Sequence, residues 1–244
     1  MSFATWAVLP AAAYLAAAVS GMLGMAGGIS LLGVMTAVLP AGHVVPIHGA
    51  VQLVSNITRT LVYLRHVYWR VFFTFAPTVL LGAAAAAAVW SGGKLAWFRP
   101  GIGVFILAFL VWRRRAPKLR NLPLWTYLPL GLVTGFLAIF VGAIGPFIAP
   151  FFLRDDFPKE RVIATKAVCQ AWTHVLKIPA FLALGFDYFA HGKLTAVLLA
   201  CVVFGTLTGR WLLSRLKQET FVVLYEAVLG AIALYLIVSG RPGA

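Results

Sequence analysis

Acidic side chains are nearly missing from this sequence: six Asp and Glu stand against twenty Lys and Arg in 244 residues, a formal net charge of +14. Cysteine is almost as rare. Cys169 and Cys201 each lie inside an apolar stretch and share no metal-ligand spacing, which argues against a disulfide framework or a structural metal. No His-Glu-x-x-His helix, Gly-x-Ser-x-Gly elbow or nucleotide-binding loop occurs, so the chain reads as a non-enzyme that uses no metal, no cofactor and no direct ATP hydrolysis. Charged residues of both signs make up only 11% of the chain, whereas 62% are hydrophobic and the mean hydropathy is +0.95. So little polar side chain cannot cover a soluble globule, and the main solvent of this chain is expected to be the lipid bilayer. Nucleic acid is not an expected partner, because no basic run is attached to a soluble domain and no nucleic-acid motif is present.

What the sequence does contain is a succession of apolar stretches, several of them long enough to cross the ~30 Å of a bilayer's hydrocarbon core. Breakers and charges delimit them at 3–23, 27–40, 46–65, 70–91, 95–113, 123–142, 145–153, 161–185, 192–213 and 219–239. The first Lys or Arg is Arg59, so the first stretch lacks the basic flank of a signal peptide and is expected to stay in the mature protein. Trp6, Trp69, Trp90, Trp97, Trp125 and Trp211 fall mostly near stretch ends, where interfacial aromatic belts lie. The second and seventh stretches are short and broken: 21–28 read Gly-Met-Leu-Gly-Met-Ala-Gly-Gly and 142–150 read Gly-Ala-Ile-Gly-Pro-Phe-Ile-Ala-Pro. Segments 27–40 and 145–153 therefore either span or re-enter, with a break near the midplane, where irregular backbone survives only beside protein or a polar cavity.

The fold class expected is an all-α integral membrane bundle, of the kind found in a bacterial inner (plasma) membrane. Its most basic loop, 113–120 with Arg113, Arg114, Arg115, Lys118 and Arg120, is placed in the cytoplasm by the positive-inside rule. Alternation from there puts loops 65–70, 154–161 and 210–217 on the same side, and loops 40–46 and 186–191 and both termini outside. Lys94 and Arg99 are the exceptions. Five segments per half is an odd number, so residues 1–120 and 121–244 are expected to be two transmembrane repeats of inverted topology within one transmembrane domain.

A shift of 118 positions supports the duplication, carrying Gly24 onto Gly142, Gly27 onto Gly145, Pro40 onto Pro158 and Gln52 onto Gln170. It also pairs Ser55 with Thr173 and Arg59 with Lys177; further on the shift becomes about 123, where Gly82 meets Gly205. Each copy reads as a Gly-broken hairpin, a Pro-marked turn and a helix with a polar stripe. The stripes are His48, Gln52, Ser55, Asn56 and Arg59, and Lys166, Gln170, Thr173, His174 and Lys177. Spacings of three and four place each on one helical face.

Polar groups inside membrane segments usually face a bundle interior or a water-filled path. The breaks at Gly27-Gly28 and Gly145-Pro146 would then open half-helices whose free N–H groups point at an anion, unless they serve only close helix packing. Gln52, Ser55, Asn56, Gln170 and Thr173 offer neutral donors for an oxyanion, or glue between helices. His48 and His174 suit proton coupling, or a plain buried hydrogen bond. Arg59, Lys166 and Lys177 either attract the anion or snorkel to the interface, and Lys166 sits close enough to the cytoplasmic loop for snorkelling or steering. Glu226 is the one acid well inside a stretch, a proton site or a structural partner.

The Gly-rich first hairpin (Gly21, Gly24, Gly27, Gly28), the Gln52-Ser55-Asn56 helix and the repetition of both at Gly142, Gly145, Pro146 and Gln170-Thr173-His174 make the chain resemble the TauE/SafE family of membrane proteins. That resemblance implies export of a small anion such as sulfite or sulfoacetate from a central site. Pro146 in place of a second Gly, and His at positions where the family has small polar residues, depart from the pattern. A permease for a cation or a neutral metabolite, or a scaffold that transports nothing, are the alternatives; the shortage of intramembrane carboxylates favours an anion. A homodimer is compatible with this reading.

Overall fold

The computed structural model describes residues 3–89, 98–115, 121–140, 143–183 and 185–239. Among these residues it is all helix apart from turns and short connections. The helices are α1 (Phe3–Leu23), α2 (Gly27–Val38), α3 (Ala41–Val62), α4 (Trp69–Val89), α5 (Phe98–Arg115), α6 (Tyr127–Phe140), α7 (Gly145–Phe152), α8 (Lys159–Ala183), α9 (Gly192–Ser214) and α10 (Gln218–Ser239). Expected loop residues 116–120, together with Gly142, Trp90, Trp97, Lys94 and Arg241, lie outside the described set.

Helix ends follow the breakers closely. The largest departure is α3, which begins at Ala41 rather than 46: Pro40 occupies its N-cap, and Pro46 lies inside the helix. Proline near a helix start removes N–H groups of which some lack partners anyway. α2 and α7 are short, 12 and 8 residues, against 21 in α1. At 1.5 Å per residue α1 rises roughly 30 Å, a full hydrocarbon thickness, and α7 only roughly 12 Å.

The chain is a polytopic helical membrane protein. Four helical segments, Thr5–Leu23, Trp69–Ala86, Phe189–Ser214 and Gln218–Val238, are long and apolar enough to cross a bilayer. α3 and α8 are as long, but their polar stripes take them off that roster, and packing explains how they are tolerated. α3 and α8 pack on each other at the centre, with α9 against α3 and α4 against α8. Outside them, α1 lies along α9 and α6 lies along α4.

Both outer seams are knitted by glycine. A Cβ on Gly209 would stand 2.3 Å from the Ala18 carbonyl oxygen, and one on Gly205 2.3 Å from that of Tyr14. In the other seam a Cβ on Gly82 would meet the Leu132 oxygen at 2.0 Å, and one on Gly135 the Val79 oxygen at 2.1 Å. In lipid, where apolar side chains gain little by meeting each other, such close backbone approach supplies the packing energy.

One rim ties several turns together. Arg154 is bidentate on Asp156, at 2.8 Å for each bond, and also donates to the Leu122 carbonyl. The guanidinium holds the Asp156 carboxyl below the usual range. Lys159 donates to the carbonyls of Leu213, at 3.0 Å, and Leu216, and the Gln218 side chain accepts from the Lys159 N–H at 2.9 Å. These bonds fix the start of α8 against the turn between α9 and α10.

Candidate functional site

The central cavity forms where both helix breaks meet both polar stripes. After α1, Gly24 has φ +73° and Ala26 φ +75°, so the chain turns sharply before α2 opens at Gly27. Positive φ is costly for alanine, and residues held so commonly mark functional sites. α7 opens at Gly145 after Ile144, whose φ of −85° is ordinary right-handed backbone, so the positive-φ turn seen before α2 is not repeated at this N-cap. From α3 come His48, Gln52 and Arg59; from α8, Lys166, Gln170 and His174. Gly24, Gly28, Gly145 and Pro146 complete the parts of the wall contributed by the breaks.

Two cations sit here, fully enclosed. Arg59 is 2% exposed and Lys166 1%. The guanidinium donates to the carbonyls of Ser20 (3.3 Å) and Ser55 (3.2 Å), to Ser55 Oγ (3.4 Å) and to Asn56 Oδ1 (2.9 Å). Lys166 Nζ donates to the Gly24 carbonyl at 2.8 Å and to Gln170 Oε1 at 2.7 Å. Hence Lys166 bridges the break in the first half to the stripe of the second. No Asp or Glu lines this cavity among the described residues. Buried charge that is solvated only by neutral dipoles is expensive, and an anion placed between the two cations would offset it.

The histidines stand ring to ring across the α3–α8 contact, centroids 6.4 Å apart. His48 Nε2 donates to the Gly28 carbonyl at 2.8 Å. That bond places the proton of the neutral ring on Nε2 and leaves a lone pair at Nδ1. Nδ1 of His48 and Nδ1 of His174 are both buried without a hydrogen-bond partner. The space between these groups is small, about 20 Å³ open to the centre of a water-sized sphere. On that measure a single water needs roughly 10–15 Å³.

Several residues expected at the site are placed elsewhere. Gly27 is a packing residue: a Cβ there would meet the Ala16 carbonyl oxygen at 1.8 Å and Ser20 Oγ at 2.4 Å. Ser55 and Asn56 hold the Arg59 guanidinium rather than lining the cavity, and Thr173 Oγ1 turns back to the Gln170 carbonyl at 2.7 Å. Lys177 is buried beside Val79, Gly135 and Ala138, on the α4–α6 side. Glu226 is half-buried on α10 and does not line the cavity. The snorkelling expected of Arg59, Lys166 and Lys177 is not found. All three are at most 3% exposed, because α3 and α8 pack on each other with α2 and α9 against α3 and α4 and α6 against α8.

Sequence reasoning missed the carbonyls of Ser20 and Gly24, which accept from Arg59 and Lys166. The signal was present in the Gly-rich break, but only the fold shows that the Gly24 and Gly28 carbonyls meet Lys166 and His48.

A family model described as sulfite exporter TauE/SafE matches residues 9–236. No curated protein and no solved structure gives a significant match.

Proposed function

Because the chain belongs to the sulfite exporter TauE/SafE family, we propose that it is a secondary transporter whose substrate, a sulfur oxyanion or small organosulfonate such as sulfite or sulfoacetate, binds between α3 and α8. The observation that carries this reading is the pair of enclosed cations, Arg59 and Lys166, in a cavity whose lining includes no carboxylate among the described residues. The helix starts at Gly27 and Gly145 add oriented N–H groups and the positive ends of two helix dipoles.

Sulfite, with four heavy atoms, needs more room than the cavity now holds, and the movable walls are side-chain ends. Lys166 exchanges the Gln170 oxygen for an oxygen of the anion, which frees the Gln170 amide to turn its NH₂ donor inward. His48 donates from Nδ1 only after that atom takes a proton, so anion and proton enter together.

Two inverted repeats give such a site a way to face each side of the membrane in turn. Supporting them, α2 and α7 start 118 positions apart, as do α3 and α8, while α4 and α9 start 123 apart. The helix pairs correspond as well. Exchanging the halves turns the α1–α9 seam into the α6–α4 seam, and the α3–α9 contact into α8–α4.

The test is flux from proteoliposomes containing sulfite, sulfoacetate, sulfate or acetate, with Gln52→Ala/Gln170→Ala as the paired variant. Saturable flux of a sulfur anion that the folded double variant loses is the expected result. Flux of a cation or neutral solute in its place, with no anion moving faster than in empty liposomes, overturns the reading.

A further inference from the structure

A second, larger space adjoins the anion site and opens toward the bilayer. It is an apolar groove of about 440 Å³ between α2 and α10, with Ile29, Gly33 and Val34 on one side and Val228, Ala231 and Ile232 on the other. Ile29 belongs to both spaces: it also lines the cavity that holds Arg59 and Lys166. Gly33 and Ala231 are exposed on the surface of the protein, so the groove is reached sideways, between two membrane helices.

The groove is specified by sequence and is not a by-product of the architecture. A shift of 118 carries Ile29 onto Phe147 and Gly33 onto Phe151; a shift of 123 carries Phe105 onto Val228 and Phe109 onto Ile232. At the corresponding α5–α7 seam those four phenylalanines pack on one another. Phe105 stands 5.3 Å from Phe147 and 5.9 Å from Phe151, and Phe109 stands 5.8 Å from Phe151, between ring centroids. One seam is filled by four aromatic rings, and its counterpart has Ile, Gly, Val and Ile in their place. Gly33 matters most, since a Cβ built there meets no atom within 4 Å.

We infer that the α2–α10 groove seats the alkyl chain of an amphiphilic sulfonate whose head group occupies the site between Arg59 and Lys166. This rests on the anion reading of that site and names a wider substrate class for it. A cationic pocket separated by the Ile29 side chain from an apolar groove matches, once that side chain turns aside, a ligand that is anionic at one end and hydrocarbon at the other. The turns from Ile29 to Val34 rise about 8 Å, the length of a chain of about six carbons, and α2 runs from the site along the groove.

The test uses the full chain in nanodiscs and tritiated octane-1-sulfonate, counted above empty nanodiscs, with methane-, butane- and hexane-1-sulfonate as competitors. Each methylene transferred from water to the groove strengthens binding by about fourfold. The expected result is a stepwise gain up to about six carbons, with octyltrimethylammonium failing to compete. Gly33→Phe, which installs the ring of the filled seam, reduces octane-1-sulfonate binding about tenfold or more, by closing the space of two or more methylenes. It leaves sulfite flux at the wild-type rate, which also shows that the variant folds. A flat chain-length series, full binding by Gly33→Phe, or equal competition by octyltrimethylammonium (a groove for lipid chains of any charge) overturns the proposal. Sulfite flux with a flat series defeats this inference alone. Octane-1-sulfonate binding that Gly33→Phe removes, without flux of any small anion, defeats the small-anion reading and leaves the amphiphile site standing.

Discussion

α2 and α7 occupy equivalent places in the chain, yet they are seated very differently. α7 is bolted in place: Tyr127 Oη donates to the Phe151 carbonyl and Tyr225 Oη to that of Ala149, both at 2.9 Å, while Phe105 and Phe109 fill the space beside it. α2 buries Leu31, Leu32 and Met35 against α1 and α3, Gly27 presses on α1 and His48 holds the Gly28 carbonyl, but one flank borders the open groove. Leu9 stands in register with Tyr127, so the hydroxyl that clamps α7 has no counterpart from α1. One half thus meets the cavity with a helix fastened by rings and hydroxyls on its flank, and the other with a helix left open along one flank.

The paired glycines break this comparison most strongly. Gly27→Ala drives a Cβ to 1.8 Å from the backbone oxygen of Ala16, which cannot swing away, so loss of folded protein on size exclusion is expected, a cost of about 3 kcal/mol or more. Its register partner behaves differently. In Gly145→Ala the close neighbour, at 2.6 Å, is Gln170 Nε2, the end of a flexible side chain. That variant is expected to fold and to lose about tenfold or more in anion flux, because the added methyl displaces the Gln170 amide that is to donate to the anion. Gly28→Ala serves as the comparison, with Gln52 at an ordinary 3.4 Å and near-normal flux expected. Folding of Gly27→Ala with normal flux would show that the two breaks are not built as described.

The hydroxyl clamp gives a smaller effect. Tyr225→Phe leaves the Ala149 carbonyl without its donor and is expected to cost about 1 kcal/mol in thermal or denaturant unfolding in nanodiscs. No loss at all would mean that aromatic packing alone seats α7.

Smallest is the rim pair that anchors the turn after α7. The Asp156 carboxyl is held below its usual range by Arg154, so the pair stabilises the folded state above the ordinary carboxylate pKa and loses that contribution as pH falls through the depressed value. Asp156 is substantially exposed, and the contribution is expected to stay below about 1 kcal/mol. Unfolding of Arg154→Gln should therefore differ from wild type at pH 7, with the pair's share of that difference fading in acid; loss of the Leu122 contact is independent of pH. A difference that grows on acidification would contradict the pairing.

Much of this layout is legible in the chain because lipid allows few alternatives. Stretch lengths gave the helices, and Gly24, Gly27 and Gly145 marked the breaks, since only special backbone interrupts helices at that depth. The spacing of His48, Gln52 and Arg59 showed one polar face. Lys166 was harder to read, because its distance along the chain from the loop at 154–161 suggested a reach to the interface. What holds it inside is the Gly24 carbonyl, 142 residues away. Ser55 and Asn56 resemble ligands in the sequence and turn out to grip Arg59, a distinction set by rotamers and not by spacing. The groove escaped the pattern because it depends on which rings meet across α5 and α7.

The central claim is that Arg59 and Lys166 are enclosed to hold an anion, and binding of radiolabelled sulfite to the protein in nanodiscs, wild type against Lys166→Met, tests it most directly. The account expects one saturable site in the wild type and an affinity loss of about 30-fold or more in the folded variant, the range seen when one partner of a buried charge pair is removed. Sulfite bound equally well by folded Lys166→Met would contradict it.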